Sequence, residues 1–156
     1  MNFSKLMIIS SVVFIISCGD TILEKDYEYY SNGAVKREMT YKGNKFHMSL
    51  VKMVNFYNAS KANKPLQISE LNYENGLLNG EQKYWYKNGR KKMVLNYRYG
   101  LMHGDQFGWY DNGKNKFQQN YNFGNLDGAQ FTYNKYGSLD REKLYKNGKL
   151  IRIIKD

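Results

Sequence analysis

The stretch WYKNGRKKMVLNYRYGLMHG, residues 85–104, decides the fold, because the chain repeats its plan as WYDNGKNKFQQNYNFGNLDG at residues 109–128. Several residue types recur every 24 positions. These columns are Tyr73, Tyr97, Tyr121 and Tyr145; Gly76, Gly100, Gly124 and Gly148; and Gln82, Gln106 and Gln130. Columns that keep one phase at such a period indicate an array of supersecondary units.

Asn-Gly pairs punctuate the chain at 32–33, 75–76, 79–80, 88–89, 112–113 and 147–148. This pair is a strong hairpin signal, because a type I′ turn needs positive φ at both central residues and Asn and Gly tolerate it. The segments between the turns are short and rich in aromatic residues and valine, which favours strands over helices. The sequence therefore predicts an all-β fold over residues 27–156, an elongated antiparallel β-meander of about five 24-residue hairpin repeats.

Alternation along the strands predicts which side chains share a face. Phe107 and Trp109 lie two residues apart in one strand, and Met93, Leu95 and Tyr97 form an uncharged set in another. Because successive side chains of a strand point to opposite faces, we expect the Met93 face to be buried.

The last repeat is more polar. Arg141 and Lys143 stand where Met93 and Leu95 stand two repeats earlier, as expected of a terminal repeat with one neighbour. Isoleucines between residues 151 and 154 indicate a final strand, where interspersed cations discourage pairing of sheet edges.

An insertion lengthens the N-terminal part of the array. Gly33 and Gly89 are 56 residues apart, eight more than two periods, and the extra residues fall within 45–64. We predict a lengthened strand there. A helix is the alternative, because a helical apolar stripe is formed by Phe46, Leu50, Met53 and Tyr57.

The N-terminus has the pattern of an export signal. Lys5 precedes the apolar run Leu6–Ile16, which is short for a membrane span, and Cys18 is the only cysteine. Residues 15–18 resemble a bacterial lipobox, which implies a lipoprotein signal peptide at 1–17, lipidation of Cys18 and a tether at 18–26. The predicted location is the bacterial cell envelope, at the outer membrane or cell surface in a Gram-negative organism.

The chain is basic, with 24 Lys and Arg against 14 Asp and Glu. Such a charge attracts anionic lipid or glycan over distances limited by salt to about 8 Å. The alternative is that lysines keep an exposed sheet soluble.

The residues predict no enzyme, no metal and no cofactor. His47 and His103 lack the spacing that would join them to a nucleophile or a metal-ligand set. The turn carboxylates Asp105, Asp111 and Asp127 share their columns with other residue types, so we interpret them as solvated turn charges.

Tyrosines interleaved with cations form the candidate binding surface. The first cluster contains Tyr84, Tyr86, Arg90, Lys91 and Lys92, and the second contains Tyr110, Lys114 and Lys116. Tyrosine and arginine are common in recognition surfaces, although a cross-strand tyrosine ladder also stabilises a sheet without any ligand. Nucleic acid is not expected, because export removes the chain from most of it.

The repeated YWYKNGRKKMVLNYRYGLMHG resembles the bacterial variant of the MORN repeat over roughly residues 27–150. His103-Gly104 matches an element of classical MORN repeats, whereas Gln106 stands where their second glycine follows. The resemblance implies a sheet used for interaction and brings no catalytic residues. Some relatives are labelled antitoxins.

The leading hypothesis is therefore a lipid-anchored, non-catalytic envelope protein that binds another protein through its sheet face or turn row. The alternatives are an antitoxin or immunity-type protein that neutralises a toxin, and a salt-sensitive binder of anionic lipid or glycan.

Overall fold

All elements in the described part of the chain are β-strands, which confirms the predicted all-β class. The computed structural model describes residues 12–14, 22–30, 33–44, 47–57 and 66–156. The chain divides into two compact units, residues 1–76 and 77–156, and in each of them neighbouring strands pair in antiparallel hairpins.

Strands of the first unit follow one another in space as they do in sequence. They are β1 (Val12–Phe14), β2 (Ile22–Tyr29), β3 (Val35–Asn44), β4 (His47–Tyr57) and β5 (Leu66–Glu74). The 11-residue β4 confirms the lengthened strand and excludes a helix over residues 47–57. Residues 45–46 and 58–65 of the predicted insertion lie outside the described residues.

The structure moves the predicted boundary between the N-terminal tether and the sheet. β2 begins at Ile22 and pairs with β3 along its length, so the last five residues of the predicted tether belong to the sheet. The ion pair between Lys25 and Glu38, at 2.7 Å, holds the two strands together. Cys18 lies outside the described residues, as does most of the predicted signal peptide. Val12–Phe14, within that segment, pairs with β2.

The second unit contains the regular repeats. Its strands are β6 (Leu77–Leu78), β7 (Gly80–Trp85), β8 (Lys91–Arg98), β9 (Leu101–Met102), β10 (Gly104–Trp109), β11 (Asn115–Asn122), β12 (Asn125–Leu126), β13 (Gly128–Tyr133), β14 (Leu139–Lys146) and β15 (Lys149–Lys155). The sheet order is β7-β8-β10-β11-β13-β14-β15, with β9 beside β8 and β12 beside β11.

Two kinds of turn alternate along the repeats. Asn75-Gly76 and Asn147-Gly148 have positive φ at both residues, which confirms the predicted type I′ conformation. Tyr99-Gly100 and Phe123-Gly124 adopt the same two-residue turn without an asparagine.

The type I′ prediction is wrong for Asn79-Gly80, between β6 and β7, and for Asn88-Gly89 and Asn112-Gly113. Only the glycines have positive φ there, and the Gly89 N–H donates to the Tyr86 carbonyl at 2.9 Å, so a type I turn is followed by a glycine bulge. The Asn88 side chain favours this loop, because its Oδ1 accepts from the Arg90 N–H at 3.0 Å.

Burial occurs on both faces of the strands. On the predicted Met93 face, Gln82 lies opposite Leu95 and is 0 % exposed. The buried apolar side chain of the second unit is Val94, 8 % exposed, on the face opposite to Met93. Phe107 is its cross-strand partner, and the Phe107 and Trp109 rings stack with centroids 6.1 Å apart, as the alternation predicts. Aromatic residues thus cover the strands on the Val94 face, which polar neighbours had obscured in the sequence.

The most deeply buried side chains are the repeated glutamines. Gln82 and Gln106 are 0 % and 1 % exposed. Gln106 Oε1 accepts from the Asn96 N–H at 2.7 Å, and its Nε2 donates to the Asn96 carbonyl at 2.9 Å. The side-chain amide therefore satisfies both backbone groups of Asn96 beside the point where Gly104, with φ 84°, diverts the partner strand.

Candidate functional site

The predicted Tyr-Lys clusters lie mainly at one edge of the second unit, which carries the loops 87–89, 111–113 and 135–137. We call this the loop edge. The Tyr86 hydroxyl donates to the Trp109 carbonyl at 2.8 Å, and the Tyr110 hydroxyl donates to the Tyr133 carbonyl at 2.7 Å. These tyrosines connect each repeat to the next. Burial, more than the nearby Asp111 and Tyr110, raises the pKa of Tyr86.

The cations of these clusters also contact their neighbours. Arg90 Nη1 donates to the Asp111 carbonyl at 3.0 Å, and Lys114 Nζ donates to the Tyr136 carbonyl. Lys92 Nζ lies 5.7 Å from the centroid of the Tyr86 ring, an arrangement that Lys116 and Tyr110 repeat at 5.6 Å.

Two predicted residues stand apart from these contacts. Tyr84 is opposite Met93 in the strand register and shares a face with Gln82, while Lys91 is opposite Trp85. The structure thus brings together most of the predicted residues, and it uses their polar groups within the fold. Whether the loop edge also binds a partner stays a prediction.

Asp105, which is exposed, and Asp127, whose side chain is 19 % exposed, are held by neighbouring side chains. Asp105 Oδ1 accepts from Asn120 Nδ2 at 2.8 Å, and Asp127 pairs with Lys146 at 3.1 Å. These contacts agree with their interpretation as turn charges. The described residues contain no group of three or more His, Cys, Asp or Glu that is able to hold a metal ion. The His47 side chain lies outside the described residues.

The opposite edge carries the two-residue turns, and we call it the turn edge. Tyr99 has φ 50° and Phe123 has φ 43°, although bulky residues rarely adopt positive φ. Their side chains are 60 % and 42 % exposed. Asparagine occupies the same column at positions 75 and 147, and it suits this conformation better. Two strained, exposed aromatic residues of this kind suggest a function beyond the turn.

Arg98 lies between these two rings. Its guanidinium carbon is 5.5 Å from the Tyr99 ring centroid and 5.8 Å from the Phe123 ring centroid. The ion pairs of the described residues do not include Arg98. An arginine that stacks on aromatic rings and has no carboxylate partner retains its donors for a ligand.

His103 completes the group. Its ring centroid is 4.4 Å from that of Phe123, and its Nδ1 accepts from the Phe123 N–H at 3.4 Å. We call Arg98, Tyr99, His103 and Phe123 the aromatic turn cluster. An open cleft of about 450 Å³ lies beside it and is lined in part by Asn79, Tyr99 and His103.

The sequence did not predict this cluster, because turns were located from Asn-Gly pairs and these two turns contain no asparagine. The signal was present, since Tyr99-Gly100 and Phe123-Gly124 occupy the same columns as Asn75-Gly76 and Asn147-Gly148. An aromatic residue before the glycine of a type I′ turn departs from the preferred turn chemistry.

Comparison with known proteins finds no matching family model, no matching curated protein and no matching solved structure. The resemblance to MORN-variant repeats stays a prediction from the repeated residues. Among the residues that the structure describes, no helix is long and apolar enough to cross a bilayer.

Proposed function

We propose that this chain is a non-catalytic β-repeat binding module that holds a protein partner on the aromatic turn cluster. The observation that carries the proposal is the pair of exposed aromatics, Tyr99 and Phe123, held at positive φ on either side of Arg98. Tyrosine and arginine dominate the binding energy of many protein interfaces, because they offer large contact areas and directional donors.

The chemistry of the cluster favours a partner with a carboxylate beside an apolar side chain. Arg98 supplies charge-assisted hydrogen bonds, and the adjacent rings supply apolar surface. The open cleft beside the rings has room for such a side chain. The net charge of +10 favours the approach of an acidic partner.

The test uses a variant that removes the rings and keeps the turns. Tyr99→Asn with Phe123→Asn restores asparagine to both type I′ turns, so the fold is expected to become more stable. The wild-type chain and the double variant are used as baits in crosslinked envelope fractions. We expect the double variant to recover the partner in an amount lower by about tenfold or more.

Tyr136→Asn is the matched control, because Tyr136 is 71 % exposed and lies on the loop edge. It removes an exposed aromatic residue without touching the cluster. Equal recovery of the same partner by all three baits would exclude the turn edge as its binding site.

We also propose that the module is a lipoprotein of the bacterial envelope, anchored through Cys18. The apolar run Leu6–Ile16, which ends two residues before the only cysteine, supports this proposal. Radiolabelled palmitate should enter the wild-type chain and not a Cys18→Ser variant. Labelling of both chains, or of neither, would contradict lipidation at Cys18.

A further inference from the structure

β15 is the last strand of the sheet order in the second unit, next to β14, and no other described strand pairs with it. All seven of its residues are exposed, although four of them are large and apolar. The exposed fractions are 47 % for Leu150, 59 % for Ile151, 48 % for Ile153 and 46 % for Ile154. A long edge strand with exposed apolar side chains is a template for pairing with another strand.

Because the β14–β15 register has two irregularities, the cations of β15 lie on a different face of the strand from its apolar side chains. Its three cations are opposite alternate residues of β14, with the pairs Lys146–Lys149, Leu144–Arg152 and Glu142–Lys155. Directly opposed residues share a face, and so do alternate residues of a strand. The three cations therefore project from one face of the edge.

The other face of the edge is apolar. Leu150 is opposite Tyr145, and Ile153 is opposite Lys143, on the intervening positions of β14. The extra residues at the two irregularities are Ile151 and Ile154, which have no opposed residue in the register. The strand thus offers a row of cations on one face and aliphatic side chains on the other.

This charge pattern opposes pairing with a second copy of the chain. An antiparallel pair centred on Arg152 would set Arg152 against itself and Lys149 against Lys155. Like charges directly opposite one another destabilise a strand pair. An acidic strand would instead meet a complementary charge at each of these positions.

Two of the cations have no carboxylate partner among the described residues. The ion pairs of the described residues do not include Lys149 or Arg152, whereas Arg141 pairs with Asp156 at 3.5 Å. Lys155 Nζ donates to the Leu139 carbonyl. The charges of Lys149 and Arg152 are therefore not neutralised by neighbours in this part of the chain.

We propose that β15 is a docking edge for an extended segment of another protein, with acidic side chains on one face and apolar side chains on the other. The segment would add to the sheet as an antiparallel strand. Backbone hydrogen bonds would supply affinity, and the alternation of acidic and apolar residues would supply specificity. This proposal does not depend on the aromatic turn cluster.

The probe is a synthetic peptide of about nine residues in which Glu and Val alternate, long enough to cover the strand. A second peptide has Lys in place of Glu. Binding of each peptide to the full chain is measured by calorimetry. Hydrogen exchange then shows whether the backbone amides of Leu150 to Ile154 become protected, as strand addition requires.

A charge-reversed edge is the decisive variant. Lys149→Glu with Arg152→Glu should lower the affinity for the Glu-Val peptide by about tenfold or more. The same variant should gain affinity for the Lys-Val peptide. Lys87→Glu with Lys135→Glu makes the same change in net charge at exposed positions of the loop edge. This control should bind the Glu-Val peptide as the wild type does.

Three results would overturn the proposal. The first is no binding of the Glu-Val peptide at about 1 mM. The second is equal weakening in the two charge-reversed variants, which would show attraction by net charge alone. The third is binding without protection of the β15 amides. The Tyr99→Asn, Phe123→Asn variant should bind the peptide as the wild type does. Peptide binding at β15 can therefore fail or succeed independently of partner binding at the turn edge.

Discussion

Gln106 shows at the scale of one residue why a polar side chain recurs at the most buried position of the repeat. Where the partner strand is diverted at Gly104, the Gln106 amide bonds the Asn96 N–H in place of a strand, and it shares the Asn96 carbonyl with the His103 N–H. Because an amide has both a donor and an acceptor, it can bond the N–H and the carbonyl of one residue together.

Replacement of Gln106 by methionine keeps the size of the side chain and removes both bonds. We expect it to lower the free energy of unfolding by about 1 to 3 kcal/mol, because the Asn96 N–H loses its partner, whereas the Asn96 carbonyl keeps the His103 N–H. Urea denaturation measures the change. Gln118→Met is the control, since Gln118 is exposed, and it should change stability by about 0.5 kcal/mol or less. Equal effects would contradict the role of the buried amide.

The strain at Tyr99 can be measured separately from binding. Tyr99→Asn should raise the free energy of unfolding by about 1 kcal/mol, because asparagine adopts φ 50° at lower cost. The reverse change at the corresponding column, Asn147→Tyr, should lower it by a similar amount. Chemical denaturation of the two variants checks the pair, and a loss of stability on Tyr99→Asn would show that the ring stabilises the turn.

The residue scale also shows where prediction from sequence ended. Periodicity predicted the glutamine column but not its burial, because a diverted strand leaves no mark in the alternation of side chains. Turn chemistry predicted positive φ at Asn75 and Asn147 and missed it at Tyr99 and Phe123. A residue that is unfavourable for its own turn cannot be found from local preferences alone.

At the scale of paired strands, Gly108 makes room for its neighbour. A Cβ at Gly108 would lie 2.2 Å from Cε1 of Phe117, its cross-strand partner, so the ring lies over the glycine. The preceding repeat has Tyr84 and Met93 in these positions. The large aromatic residue of the pair is thus on the first strand in one repeat, as Tyr84 on β7, and on the second strand in the next, as Phe117 on β11.

Gly108→Ala should destabilise the sheet by about 1 to 3 kcal/mol, because the Phe117 ring must move. In a Phe117→Met background, Gly108→Ala should lower the free energy of unfolding by less, since methionine is flexible and occupies this column as Met93. A double-mutant cycle from thermal or urea unfolding measures the coupling between the two positions. Additive effects would mean that the ring does not restrict Gly108.

Strand order was predictable from the sequence, and turn type was only partly so. Asn-Gly correctly located the reversals at residues 75–76, 88–89, 112–113 and 147–148, because glycine is needed at both kinds of turn. It was wrong at Asn79-Gly80, which lies between β6 and β7, and it missed the reversals at Tyr99-Gly100 and Phe123-Gly124. It did not distinguish a two-residue turn from a three-residue loop, since the Asn88 side chain stabilises the latter by its bond to the Arg90 N–H. The difference matters because the turn edge and the loop edge carry different side chains.

At the scale of the whole molecule, half-buried tyrosines make stability depend on alkaline pH. Burial is the first cause of the raised pKa of Tyr41, Tyr86 and Tyr121, above an ordinary value of 10.0. The hydrogen bond from Lys25 to Glu38 raises the pKa of Lys25. All four groups bind their proton more tightly in the folded chain than in the unfolded chain.

Their contribution is complete below the unfolded pKa values and is lost as pH rises through the higher folded values. We therefore expect the free energy of unfolding to fall as pH increases above about 10. Urea denaturation across this range measures the fall, and tyrosinate absorbance follows the ionisation. A variant with Phe at positions 41, 86 and 121 should show a shallower dependence. Stability that rises with pH above 10 would contradict the assigned directions.

The bonds between repeats join positions at two fixed separations. On the turn edge the Gly124 N–H donates to the Met102 carbonyl, and on the loop edge Tyr110 reaches the Tyr133 carbonyl. Gene duplication of one 24-residue unit within the second half of the chain would reproduce both partners for the new copy. A gain of another length within a strand of these repeats would set turns against strands, and the eight-residue insertion of the chain falls outside the second unit. The array can therefore grow or shrink in evolution by whole repeats, and each added unit would enlarge the binding edges without a new fold.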